Sequence, residues 1–299
     1  YMAAERGLEF GTDIVYTYGP LGFMSLDAVP VWFAGTANLA FVYQAVLLLT
    51  LAAGLTWALS DGIGLPASVV VAFVALTVAD RPYVALILAG LLAFATLRPE
   101  RRHRTAVLGA QVAGGATLAA LQALMKLSIA PAVLLVSLAA LIGARAPIRY
   151  IVGLLALFAA ELLGLWLLAG QPLAAFGDYV TNSLQVVSGY SEAMGLVQLP
   201  AWQGWAATAV ALLLVAAAFV AQPGDRRARV CAGLAMALLA FAAYKQGITR
   251  FAGGNVGIFF STALLLWLIL PWRRTGRFAL VAGAIGMSVL TLETTFVTS

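Results

Sequence analysis

Long apolar runs separated by short polar punctuation make up most of the chain. A membrane-spanning helix needs about 20 apolar residues, with roughly 17 to 25 tolerated. That rule places helices at 36–59, 66–79, 82–97, 106–125, 128–143, 150–169, 201–221, 230–244, 255–271 and 278–293. The second, third, fifth and eighth are short, which predicts tilt or a surrounding of protein rather than lipid. The expected fold is all-α, a polytopic membrane bundle of about ten transmembrane segments. It divides into an outer segment 1–35, a first part of the bundle at 36–169, an outer loop at 170–200 and a second part at 201–299. Gly19-Pro20 and Gln171-Pro172 predict turns in the two outer segments, part of each lying along the interface as a short helix.

Charge tests this pattern independently, because cytoplasmic loops collect Lys and Arg. Arg98, Arg101, Arg102 and Arg104 follow the third helix, Arg145 and Arg149 the fifth, Arg226, Arg227 and Arg229 the seventh, and Arg273, Arg274 and Arg277 the ninth. Every cluster falls on the same side of a strictly alternating model, and a wrong helix count would have broken the alternation. The segment 1–35, the Asp80-Arg81 corner, Lys126, the 170–200 loop and the 245–254 loop are then outside. So are Glu5, Glu9, Asp13, Asp27, Asp80, Asp178, Glu192 and Glu293, against Asp61, Glu100 and Asp225 inside and Glu161 within a helix.

Composition agrees. Of 299 residues, 63% are apolar and 10% charged, with a mean hydropathy of +0.99, far from the roughly 25% charge of a soluble domain. A pI near 9.6 and a net charge of +5 would suggest nucleic acid in a soluble protein, but the clustering of the arginines explains them as orientation signals, so no nucleic-acid partner is expected. Cys231 alone allows no intramolecular disulfide and reads as a small core residue. His103 lies in an arginine cluster without a partner at metal-ligand spacing, and no Walker loop, dinucleotide fingerprint or nucleophile elbow is present. The first residues form neither a basic nor an apolar leader region, so the chain reads as a piece that begins inside a loop, with at least one helix before it.

The chemistry concentrates in the outer segments. Asp13 is followed by Tyr16, Tyr18 and the Gly19-Pro20 turn: a carboxylate able to take a proton from an attacking hydroxyl, with rings that can pack on a sugar face. The alternative is that Asp13 caps a turn or a short helix. Asp80 and Arg81 precede Pro82 at a corner between two short apolar runs, where charge is usually paired or functional. Lys126 interrupts a long apolar tract, either snorkelling as an anchor or facing a lipid phosphate. Lys245 and Arg250 lie outside, against the charge bias, before glycines and a new helix start, a composition suited to phosphate. Tyr190 and Glu192 add a ring and a carboxylate for an acceptor, or a helix cap. Trp32, Phe33, Tyr179, Tyr190, Trp202 and Trp205 also fit an aromatic belt at the headgroups. Glu161 is a candidate functional carboxylate within the membrane.

The run Asp13-Ile14-Val15-Tyr16-Thr17-Tyr18-Gly19-Pro20-Leu21 resembles the outer-loop motifs of the GT-C superfamily of membrane glycosyltransferases, in branches that use polyprenyl-phosphate sugars. The resemblance implies an enzyme of the bacterial plasma membrane that moves a sugar from a polyprenyl-phosphate donor to a glycan or lipid acceptor at the outer face. It makes Asp13 the base, Asp80 a supporting carboxylate, Arg81, Lys126, Lys245 and Arg250 ligands of the donor phosphate, and Tyr16, Tyr18, Tyr190 and Glu192 contacts of acceptor or sugar. No nucleotide sugar is required, no cofactor is assigned, and a divalent cation bridging Asp13, Asp80 and phosphate is left open. Two other readings stand beside it: a polysaccharide polymerase or ligase using a lipid diphosphate, and a transporter or lipid flippase with Glu161 and Lys126 along its path.

Overall fold

The computed structural model describes residues 3, 6–25, 34–98, 104–194, 200–248, 255–272 and 276–296, without the side chains of 34, 190–194, 277, 295 and 296. Among these residues the secondary structure is helical throughout, apart from an isolated bridge between Phe10 and Ile14. The helices are α1 (Ala34–Ile63), α2 (Leu65–Thr77), α3 (Val84–Thr96), α4 (Arg104–Met125), α5 (Ala130–Gly143), α6 (Ile148–Leu168), α7 (Phe176–Met194), α8 (Ala201–Ala221), α9 (Arg226–Ile248), α10 (Asn255–Leu268) and α11 (Arg277–Phe296).

Each expected apolar segment is a helix, but their lengths divide them. Among the described residues α1, α4, α6, α8 and α9 are each long and apolar enough to cross a membrane, and counting the bent pair α2 and α3 as one span makes six. α2 and α3 have 13 residues each, α5 and α10 14 each, or about 20 Å of rise against a hydrocarbon thickness of about 30 Å. Two of these short helices are shielded by protein: α3 buries Val84 to Leu91 without a break, and α10 buries Phe259 to Leu268. Gly90 lets α3 approach closely, since a Cβ there would stand 2.6 Å from Ile269 and 3.0 Å from Leu239. The longer helices turn apolar faces outward instead: Phe41, Val42, Val46 and Leu49 on α1, Ile148, Val152 and Leu155 on α6, and Trp205, Leu212 and Val220 on α8 are exposed.

Polar contacts gather the helix ends into two rims. At the arginine rim, Arg98 pairs with Asp61 at 3.3 Å, Arg145 with Asp225 at 2.7 Å, Arg104 donates to the Ala144 carbonyl, and Gln222 donates to the Leu97 carbonyl at 3.0 Å. These bonds join the ends of α1, α3, α5 and α8 to the starts of α4 and α9. At the lysine rim, Lys126 beyond α4 meets Tyr83 before α3 and Gln246 near the end of α9. From Arg104 to Lys126 the helical rise is about 33 Å and from Arg226 to Gln246 about 30 Å, the thickness of a hydrocarbon core. The arginines of 99–103 and 273–275 lie outside the described residues.

The rims also fix the path of the bent pair. α2 starts two residues after α1 ends, beside Asp61, and α3 ends beside Arg98, which pairs with that same Asp61. Both ends of the pair are therefore at the arginine rim. Its 120° bend carries Asp80 to Tyr83 across to the lysine rim and back.

Candidate functional site

The site is assembled on the C-terminal end of α4. The last carbonyls of a helix lack partners within it, and here the outer segments supply them. The Leu21 N–H donates to Leu124 at 3.0 Å, the Gly19 N–H to Met125 at 3.2 Å, and the Tyr179 hydroxyl to Ala123 at 2.6 Å. Glycine is needed twice for this fit. A Cβ at Gly19 would overlap the Leu124 carbonyl and the Tyr179 hydroxyl, and Gly11, at φ +101°, lies against the backbone of Tyr179. Asn182 donates to the Gly11 carbonyl at 2.8 Å, while Gln171 accepts from the Phe10 N–H at 2.8 Å and donates to Leu8 at 3.2 Å. Burial of Tyr179, which also stacks on the buried Trp166, pushes its phenol well above the ordinary range.

The expected 170–200 loop thus contains a 19-residue helix, α7. Phe176, Tyr179, Val180, Ser183 and Val187 form its inner stripe at spacings of three and four. Its polar content kept it below the hydropathy of a membrane span. Tyr179 is not a belt residue, being 3% exposed, whereas Trp202 and Trp205 are exposed near the start of α8 and fit that role.

Lys126 follows directly on the capped end of α4, where the negative end of the helix dipole favours a cation. It does not snorkel, for it is 7% exposed. Its Nζ donates to Gln246 Oε1 at 3.1 Å and to the Tyr83 hydroxyl at 3.3 Å, and it stands 5.3 and 5.5 Å from the ring centroids of Tyr83 and Tyr18, within cation–π range. Tyr83 in turn donates to Gln246 Oε1 at 3.3 Å. Thr17, Tyr18, Lys126, Ser128, Val187, Lys245 and Gln246 line an open cleft. Searches against protein-family models, curated proteins and solved structures find no match.

The sequence-predicted residues are thus only partly gathered. Lys126, Lys245 and Tyr18 share the cleft. Arg81 lines a separate, smaller pocket with Met24, Tyr43, Gln44 and Leu47, and donates to Gln44 at 3.0 Å. Asp80 opens the turn that places Tyr83, its carbonyl accepting from the Tyr83 N–H at 2.9 Å, and it does not line the cleft. Tyr16 is exposed and packs 5.9 Å from Tyr18. Asp13 is also exposed and outside the cleft lining, its Oδ2 accepting the Glu9 N–H at 3.0 Å, the turn-closing contact weighed as its alternative role. Arg250 and the side chains of Tyr190 and Glu192 lie outside the described residues. Among the described residues no three His, Cys, Asp or Glu side chains come together as a metal site. Glu161 accepts from Thr117 at 3.0 Å between α6 and α4, away from the cleft.

Sequence reasoning singled out neither Tyr83 nor Gln246 as a site residue. Gln246 was in view beside Lys245, and Tyr83 ends the Asp80-Arg81-Pro82 corner, but neither carries a charge to draw attention. Thr17 lay within the Asp13–Leu21 run without being assigned a role, and Ser128 and Val187 carried no local signal.

Proposed function

We propose that the chain is a membrane glycosyltransferase that takes a sugar from a polyprenyl-phosphate donor and passes it to an acceptor hydroxyl, working at the outer, lysine-rim face of the bacterial plasma membrane. The observation that supports this most is the buried ammonium of Lys126 beside Lys245 in a cleft at one rim, about 30 Å of helix from the arginines. Charge at this depth is expensive to keep without a task, and two ammonium groups with hydroxyl and amide donors suit a phosphate. In the reaction, the bond from the anomeric carbon to the phosphate oxygen breaks as the acceptor oxygen attacks that carbon. The departing phosphate is stabilised by Lys126 and Lys245, while the acceptor proton passes to a base. Asp13 is the base of this reading, on the same segment as Thr17 and Tyr18. No nucleotide sugar takes part, and the GT-C resemblance of the Asp13–Leu21 run points the same way.

The transporter reading requires polar groups along the whole path between the rims. Leu51, Leu55, Leu86, Ile87, Phe259 and Phe260 are among the fully buried side chains of the bundle, the buried polar side chains described in its helices, Gln111 and Gln203 among them, are uncharged, and both lysines of the cleft lie at one rim, which favours a reaction at one face. The deciding assay is transfer from a radiolabelled polyprenyl-phosphate sugar in vesicles containing the full chain. Asp13→Asn is expected to lower the rate by about 10²-fold or more, and full retained activity removes Asp13 as base.

A further inference from the structure

Gln246 lines the cleft, and both donors that reach its Oε1, Lys126 Nζ at 3.1 Å and the Tyr83 hydroxyl at 3.3 Å, fix which way its amide faces. With the carbonyl oxygen occupied twice, the amide offers the cleft its two N–H donors and not its acceptor. The other charged groups of the lining are the ammonium groups of Lys126, from the end of α4, and Lys245, from α9. Thr17 and Ser128 contribute hydroxyls, and Tyr18 and Tyr83 are the phenols packed against Lys126. Among the described residues, no carboxylate lines the cleft.

Such a lining distinguishes two forms of lipid phosphate. A phosphodiester, the linkage in a polyprenyl-phosphate sugar, carries one negative charge on two unesterified oxygens. The monoester left when the sugar departs carries three, and it is a dianion above its second pKa of about 6. An array of donors and cations gains from the extra oxygen and the extra charge, whereas an acceptor in the wall would meet them with repulsion.

Resting on the reading of the cleft as a lipid-phosphate site, we infer that Gln246 is a specificity residue: oriented by Lys126 and Tyr83, it makes the cleft prefer a phosphate monoester dianion, the leaving group, over the phosphodiester of the bound donor. The released lipid phosphate is then a competitive product inhibitor of donor binding.

The test uses the full chain in phosphatidylcholine nanodiscs, with farnesyl phosphate and its methyl ester, farnesyl methyl phosphate, as probes in calorimetric titrations. At pH 8 the monoester should bind roughly tenfold tighter, the effect of one additional charge-assisted hydrogen bond. At pH 5, where the monoester has become a monoanion, the gap should close to within about threefold. In Gln246→Glu, which keeps the shape and replaces the donors by acceptors, the pH 8 preference should vanish or invert while the diester affinity changes less. Equal binding of the two probes by the wild-type protein at pH 8, or an unchanged preference in Gln246→Glu, overturns the inference and leaves the lipid-phosphate reading standing. Failure of both probes to bind the wild-type protein overturns both. Where Gln246→Glu does not fold, Gln246→Leu, which removes the amide donors without adding charge, takes its place: a lost pH 8 preference supports the inference and an unchanged one overturns it.

Discussion

At the arginine rim, Arg98 and Arg145 meet Asp61 and Asp225 at the surface, and three of these four side chains are roughly half exposed or more. At the lysine rim, Lys126 is nearly covered, held between two aromatic rings and a glutamine oxygen. Exposed ion pairs contribute about 0–1 kcal/mol each, so the first rim gains little stability from its charges. The second accepts a costly burial and surrounds it with ordered segments. Charge that is cheap to place marks a position in the membrane, and charge that is expensive to place marks a site.

The largest expected contrast is in activity. Lys126→Met should lower sugar transfer by about 10²–10³-fold, the loss seen when one stabilising donor is removed from a transition state, whereas Arg98→Gln should change it less than about twofold. Transfer assays on equal amounts of folded protein, checked by size-exclusion chromatography, make the comparison. A comparable loss in both variants would erase the distinction between the rims.

A smaller contrast is in stability. Gly19→Ala forces a methyl against the Leu124 carbonyl and the Tyr179 hydroxyl and should destabilise by about 1–3 kcal/mol. At the other rim Gly62→Ala meets its nearest neighbour at 3.6 Å and should stay within about 0.5 kcal/mol. Thermal unfolding in detergent, followed by tryptophan fluorescence, reads both.

The smallest contrast is in pH. The Asp225 carboxyl is held below its ordinary range by the Ala228 N–H, and also by Arg145. A depressed carboxyl contributes stability above its unfolded pKa and loses it as pH falls through the folded value. Asp225→Asn should therefore melt slightly below the wild-type protein at neutral pH, and the difference should disappear on acidification below the usual carboxylate pKa of about 4. At the lysine rim, burial moves the Tyr179 phenol up and away from this window, so Tyr179→Phe should show a melting difference that acid leaves unchanged.

Much of the bundle was legible because both of its signals are local. Apolar length located each membrane-type helix, and the alternation of the arginine clusters put Arg98 and Arg145 on one side, where their contacts with Asp61 and with Asp225, the neighbour of Arg226, define a common rim. The number of crossings was not legible, because a 13-residue apolar helix reads alike whether lipid or protein surrounds it, and only packing distinguishes exposed α2 from enclosed α3. A short interfacial helix was expected in the 170–200 loop, but Asp178, Asn182 and Ser183 lower the hydropathy of α7, so its 19-residue length and the docking of its inner stripe on the N-terminal segment were not legible. In the cleft, the lysines stood out as misplaced charges. Tyr83 and Gln246 did not, since they reach Lys126 from points 43 and 120 residues away. Asp13 looked catalytic from its neighbours, yet its described contact is with Glu9 N–H, four residues back.

The opposition of the two rims is tested most directly by cysteine accessibility in intact bacterial cells. With the buried Cys231 replaced by alanine, single cysteines at Val15, exposed beside the lysine rim, and Arg226, exposed at the arginine rim, are treated with a membrane-impermeant maleimide. The account predicts that Val15→Cys is labelled in intact cells and Arg226→Cys only after the membrane is permeabilised. Labelling of both from outside, or of Arg226→Cys alone, would contradict it.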